Sequence, residues 1–235
     1  MTNSTHAARL RSTLSRLGRE TAMLEATVTS LNDAELAANS LCEGWSRAHV
    51  VAHLASNAEA LTRMIDVART GEVHPMYPSR QERDAEIERR AGLERAGLLS
   101  LLEAASARFA SHADQLGGEL ALEVLDLNGR EVAATDLVSA RISEVVLHHH
   151  DLGTAWTMEE ADPDSLLDAL ESAVRVRRSQ EVPGMTLVAE EGEEWVIGDG
   201  ALRVESDREG LLAWLARGEE RGVDAESPLP QLPVW

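Results

Sequence analysis

Lysine is missing altogether: all 22 basic residues are arginine. Schiff-base chemistry on a lysine is thereby excluded, and any anion site has to be built from arginine, helix N-termini or a metal. Cysteine is nearly as scarce. The single Cys42 excludes an internal disulfide framework and suits a reducing compartment. No apolar run approaches the ~20 residues that span a bilayer. The opening Met1-Thr2-Asn3-Ser4-Thr5-His6 has no apolar signal region, so a cytoplasmic location is expected. Acidic residues number 41 and leave a net charge of −19, which argues against nucleic acid or an anionic membrane as partner. What remains is a chain of 235 residues, 43% hydrophobic, able to bury a real core as one large domain or two small ones. The expected assembly is a monomer or a weak homo-oligomer.

Helical periodicity dominates the first two-thirds. Leu10, Leu14, Leu17, Thr21, Leu24 and Val28 step by 4, 3, 4, 3 and 4, which predicts a first helix of roughly residues 5 to 29. After Asn32-Asp33 and a short helical piece, Ser46 reads as the N-cap of a second helix that runs to about Arg69. Thr70-Gly71-Glu72-Val73-His74-Pro75-Met76-Tyr77-Pro78 breaks it. A third, charge-rich helix is expected from about Arg80 to Gln115, with Gly92 and Gly97 weakening its first half. Asn128-Gly129, inside Val124 to Ala133, is a hairpin signal. A fourth helix, capped by Thr135, carries Arg141 to Gly153.

Four long helices joined by loops of varying length imply a helical bundle. Beyond Glu159-Glu160-Ala161-Asp162-Pro163 the pattern changes to a helix near 164–181, β-like runs at Met185–Glu190, Glu194–Ile197 and Ala201–Glu205, a helix at about Asp207–Arg217, and an irregular Pro-rich tail. The fold class is therefore mainly α, an N-terminal four-helix bundle of residues 1–158 followed by a small α+β domain of residues 159–235.

The chemistry concentrates in the fourth helix. Glu144 and His148 stand one turn apart and project from one face, with Asp151 close to the same stripe. A carboxylate and an imidazole placed this way form two-thirds of a zinc site, and Asp151 is placed to orient the ring. His53, on the second helix, is the natural third ligand, since bundle metal ligands project inward from facing helices. Spacing alone leaves a plainer reading open, with Glu144 solvated and His53 a satisfied core histidine. His49 reads as packing or hydrogen bonding near the helix start, and His149 and His150 as surface or packing residues rotated off the Glu144 face by about 100° and 200°. Cys42 lacks a general base assigned by spacing. Pro75-Met76-Tyr77 reads as a turn with an anchoring aromatic.

Three blocks carry a family resemblance: Leu41 to Leu54 with Glu43-Gly44-Trp45, His49 and His53; Thr70-Gly71-Glu72 to Pro75-Met76-Tyr77; and Arg141 to Gly153. They resemble the mycothiol-dependent maleylpyruvate isomerases, and the bundle resembles the wider DinB-like metal-binding superfamily. The similarity extends over nearly the full length. It implies Zn²⁺ held by His53, Glu144 and His148, and mycothiol as thiol cofactor. Glutamate at position 144 supports the isomerase over DinB-like relatives that have histidine there. The resemblance also implies an essential arginine at the end of the last helix. Arg217 fits best, with Arg221 as the alternative, and Arg83 matches a further family arginine. Tyr77 and Arg221 are the candidates for cofactor contact.

The implied reaction is cis–trans isomerisation of maleylpyruvate, a dianion, to fumarylpyruvate, a step in gentisate-type aromatic degradation. Rotation about the cis double bond is slow until a thiolate adds to it; the bond is then single, rotation follows, and elimination restores the alkene. Zinc would make the thiolate from a thiol whose pKa is ordinarily near 8.5. Arg217 and Arg83 would bind carboxylates. Two alternatives use the same scaffold: a mycothiol S-transferase acting on another electrophile, and a non-enzymatic metal-bound regulator or ligand carrier with His49 as fourth zinc ligand. A third alternative treats the C-terminal α+β unit as an apolar-ligand carrier.

Overall fold

The 4-3-4-3-4 stripe forms α1 (Thr2–Ser30), which buries Leu10, Leu17, Leu24 and Val28 and leaves Leu14 half-buried. The structure, a computed structural model, describes residues 2–127 and 129–233, and side chains from residue 7 onward. A short α2 (Asp33–Ala37) follows, its N-terminus closed by a capping box between Asn32 and Glu35.

α3 (Arg47–Thr70) is buried on nearly every side, from Val50, Val51 and Leu54 to Met64, Ile65 and Ala68. A helix buried on so many sides lies in the middle of its unit. It stops at Gly71, whose φ of +76° is the left-handed conformation that a helix-ending glycine supplies at no steric cost.

The expected helix from Arg80 to Gln115 is two helices. α4 (Arg80–Ala91) starts at Ser79, whose hydroxyl accepts from Glu82 N at 3.1 Å, and ends at Gly92; α5 (Arg95–Ala113) starts at Glu94. Glycine costs about 1 kcal/mol in a helix interior, and three residues here turn the chain instead. β1 (Val124–Asp126) and β2 (Glu131–Ala133) pair antiparallel as a hairpin. Of its Asn128-Gly129 turn, Asn128 lies outside the described residues, and Gly129 has φ +84°. The Thr135 cap is also corrected. Thr135 sits in a 3₁₀ turn, Ala134–Asp136, and the residue before α6 (Leu137–Asp151) is Asp136, which makes no side-chain cap bond.

Helices α1, α3, α5 and α6 pack as a bundle, with α1 against α5 and α6, α3 against α5 and α6, and α4 added on α3. Together with the hairpin they make a compact unit, Met1–Thr157.

The second unit, Met158–Trp235, contains α7 (Pro163–Arg178), which is capped by Asp162 with proline at its first turn. Its sheet runs β4-β3-β5-β6. β3 (Met185–Ala189) pairs antiparallel with β4 (Glu194–Ile197) and parallel with β5 (Leu202–Ser206). Met185, Leu187 and Ala189 alternate inward, as a strand covered on one face requires. α8 (Arg208–Arg217) follows β5. The tail is less irregular than its prolines predict: β6 (Asp224–Ala225) adds to β5, and Pro233 O accepts from the buried Arg177 at 2.8 Å. No helix among the described residues is long and apolar enough to cross a membrane.

Candidate metal centre

Ser46 sets the frame of the site. Its side chain caps α3 by accepting from His49 N, and His49 Nδ1 faces back to Ser46 N at 3.3 Å and Oγ at 2.7 Å. A histidine here fills the place usually taken by Glu or Gln in a capping box. The other ring nitrogen, Nε2, lies 2.9 Å from Glu88 Oε2 on α4. Both nitrogens of His49 are thus engaged at the helix start, and His53 is carried one turn further into the bundle.

There the structure brings His53, Glu144 and His148 together. Their donor atoms lie within 4.8 Å of one another. His53 Nε2 is 2.9 Å from Glu144 Oε2, and His148 Nε2 is 3.5 Å from the same oxygen. Two imidazole nitrogens and one carboxylate oxygen are a donor set that suits Zn²⁺ and leaves further coordination positions for other ligands. His148 Nδ1 is 2.7 Å from Asp151 Oδ2, and Asp151 is wholly buried. That contact presents Nε2 of His148 to the cluster.

The charges of the three groups are interdependent. Burial pushes His53 down to about 4, aided by His148, so its imidazole is neutral near pH 7. Burial alone would raise Glu144, but hydrogen bonds from His148 and His53 hold it well below the usual carboxylate range. Burial alone would lower His148; Asp151, the Cys42 thiol and Glu144 outweigh it and hold it well above the usual imidazole value.

Arg83 is part of the same site. Its Nη2 stands 3.1 Å from His53 Nδ1, its Nη1 donates to Asp84 at 2.8 Å, and its guanidinium carbon lies 5.7 Å from the centre of the Tyr77 ring. Burial raises the Tyr77 hydroxyl, with Glu144 acting in the same direction. Arg217 and Arg221 lie on the second unit. Arg217 ends α8, where its Nη1 donates to Ala216 O at 2.8 Å, and Arg221 is exposed in the turn before β6.

Two neighbours have no signal in spacing. Cys42 comes within 4.8 Å of the donor atoms of His148 and Asp151, although over a hundred residues separate them in the chain. The link is a backbone bond from Leu41 N to Asp151 O of 2.8 Å, backed by Arg47, which donates to Leu152 O and Gly153 O. Gly153 has φ +59°, and a Cβ there would stand 3.4 Å from the Leu41 side chain. Trp45, in the same loop, has its ring 5.5 Å from that of His53. His149 points away: it stacks on Trp156 at 3.9 Å and its Nε2 lies 2.8 Å from Thr27 Oγ1.

Comparison with known proteins adds a family. Residues 17–153 match the family model described as the mycothiol maleylpyruvate isomerase N-terminal domain. Crystal structures of the mycothiol-dependent maleylpyruvate isomerase and of a histidine-to-alanine variant resemble this chain with a TM-score of 0.84. Each is 28% identical, over 96% of this chain and 97% of the other. Among curated proteins none matches.

Proposed function

Because the chain belongs to the mycothiol maleylpyruvate isomerase N-terminal domain family, we propose that it is a mycothiol-dependent isomerase converting maleylpyruvate to fumarylpyruvate. The observation that carries this reading is the convergence of His53, Glu144 and His148 inside a fold shared with the isomerase over 96% of the chain. In this reading residues 1–158 are the metal-binding domain and residues 159–235 a C-terminal α+β domain.

The three ligands would hold Zn²⁺, which when bound supplies the Lewis acidity that turns the thiol of mycothiol into a nucleophilic thiolate at neutral pH. The chain's own residues do the rest. Glu144 brings the one negative charge of the ligand set and His53 a neutral imidazole. Asp151 orients His148. Arg83, beside His53, offers a guanidinium to a substrate carboxylate, which matters because the net charge of −19 opposes a dianion at long range. Arg217, or Arg221 in its place, is the proposed second carboxylate-binding group, on family resemblance alone. Trp45 and Tyr77 supply aromatic walls, Tyr77 with cofactor contact as its proposed role. The single cysteine and the thiol cofactor both suit a reducing cytoplasm.

The test pairs metal content with turnover. Purified protein should contain about one zinc per chain, lose it in His53→Ala, and isomerise maleylpyruvate only when mycothiol is added. Undiminished turnover without thiol would overturn the cofactor assignment, and stoichiometric zinc in His53→Ala would remove that ligand. Accumulation of a thiol conjugate in place of the isomer would reassign the chain to S-transfer.

A further inference from the structure

We infer that Arg141 is a positioning residue for the ligand set: its guanidinium fixes α6 against α3 at the level where His53, Glu144 and His148 meet. The inference rests on the metal reading above. Arg141 is 1% exposed and lies one turn before Glu144 and two before His148 on α6. Its Nη1 donates to Leu54 O at 2.8 Å and to Asn57 Oδ1 at 2.9 Å, both on α3, and Leu54 is the residue after His53. One side chain therefore ties the two ligand-bearing helices within a residue of one ligand and a turn of another. The distance across which His53 Nε2 reaches Glu144 is set by this tie together with the surrounding packing.

A buried guanidinium is costly to desolvate. Arg141 Nη2 finds no acceptor among the described residues, and the residue lines a cavity of about 340 Å³ together with Leu17, Glu25, Ser106 and Phe109, among others. Burial lowers the guanidinium to about 10. An unbranched apolar side chain would fill the same space without an unpaired donor, but would leave the buried Asn57 Oδ1 without its partner. One nitrogen, Nη1, held in the plane of the guanidinium, grips a helix carbonyl and an amide oxygen together.

The test measures zinc affinity by chelator competition and the visible spectrum of the Co²⁺-loaded protein, which reports ligand geometry directly. Arg141→Met should bind zinc about 10- to 100-fold more weakly, the usual effect of losing a partner that orients ligands, and should shift the cobalt spectrum. Arg141→Lys keeps the charge and one donor point and should fall between. Asn57→Ala leaves the charge untouched and removes one arm of the grip; it should weaken zinc by about 10-fold and move the spectrum the same way. It also decides the matter if Arg141→Met does not fold, as judged by circular dichroism of the metal-free protein. Parental affinity and spectrum in Asn57→Ala and Arg141→Met would overturn the positioning role while leaving the metal site intact. A parent protein that takes up no zinc would overturn both.

Discussion

Replacing Asp151 by asparagine is the sharpest perturbation of the cluster, because it acts on one ligand in two opposed ways. Asp151 Oδ2 lies 2.7 Å from His148 Nδ1, and the residue is completely buried. In the metal-free protein near pH 7, Glu144 is ionised, His53 neutral and His148 protonated. Zinc can take His148 Nε2 only after that proton leaves. Affinity in the parent should therefore rise about tenfold per pH unit from roughly pH 6.5 up to the raised pKa of His148. Asp151 is the largest of the influences that raise His148. In Asp151→Asn the imidazole loses its proton earlier, and the slope should flatten soon above pH 6.5. At high pH, where proton competition has ended, what remains is the loss of the charged partner that holds the ring and raises its basicity, worth about 10- to 100-fold or roughly 1.4–2.7 kcal/mol. The two curves must therefore converge as pH falls. The raised pKa also stabilises the metal-free fold below about pH 6.5, a contribution lost as pH rises through the folded value and missing from the variant. Chelator competition between pH 6.5 and 9 measures the zinc curves. Parallel curves, or equal affinities at pH 9, would refute the reasoning.

The remaining predictions are simpler. His149 is buried, and burial lowers it from 6.5 to about 4. The unfolded chain then binds a proton the fold refuses, so stability is lost as pH falls from about 6.5 towards 4, by up to about 3 kcal/mol from this residue. Urea unfolding at pH 7 and pH 4 should show His149→Phe losing about that much less than the parent; equal losses would count against it. Arg217→Ala should raise KM for maleylpyruvate or lower kcat at least tenfold with zinc content unchanged; if Arg221→Ala does so instead, the role moves there. Leu54→Ala empties a fully buried site on α3 and should cost about 2–5 kcal/mol in chemical denaturation.

How much of this could be read beforehand depends on the range of the interaction. The stripe from Leu10 to Val28 and the Ser46 cap are local, and α1 and the start of α3 follow from them. The Glu144–His148 pair is local too, because an i, i+4 spacing settles which face both side chains occupy. The approach of His53 to Glu144 is not: it depends on how α3 and α6 pack, 91 residues apart in the chain. Cys42 beside His148 is longer in range still, and depends on a loop fastened by one backbone bond and one arginine. Local reasoning fails where alternatives are close in energy. Gly92 ends a helix that charge and periodicity would continue, and the two-residue β6 is too short to show any alternation.

Asp151 hands its carboxylate to an imidazole and its carbonyl to Leu41, so the rim of the site and its floor are one mechanical part. A displacement of residues 40–45 would therefore act on the last residue of α6, the one that steers His148. Gly153 belongs to the same linkage: a side chain there would sit in contact with Leu41 on a backbone angle that only glycine adopts freely.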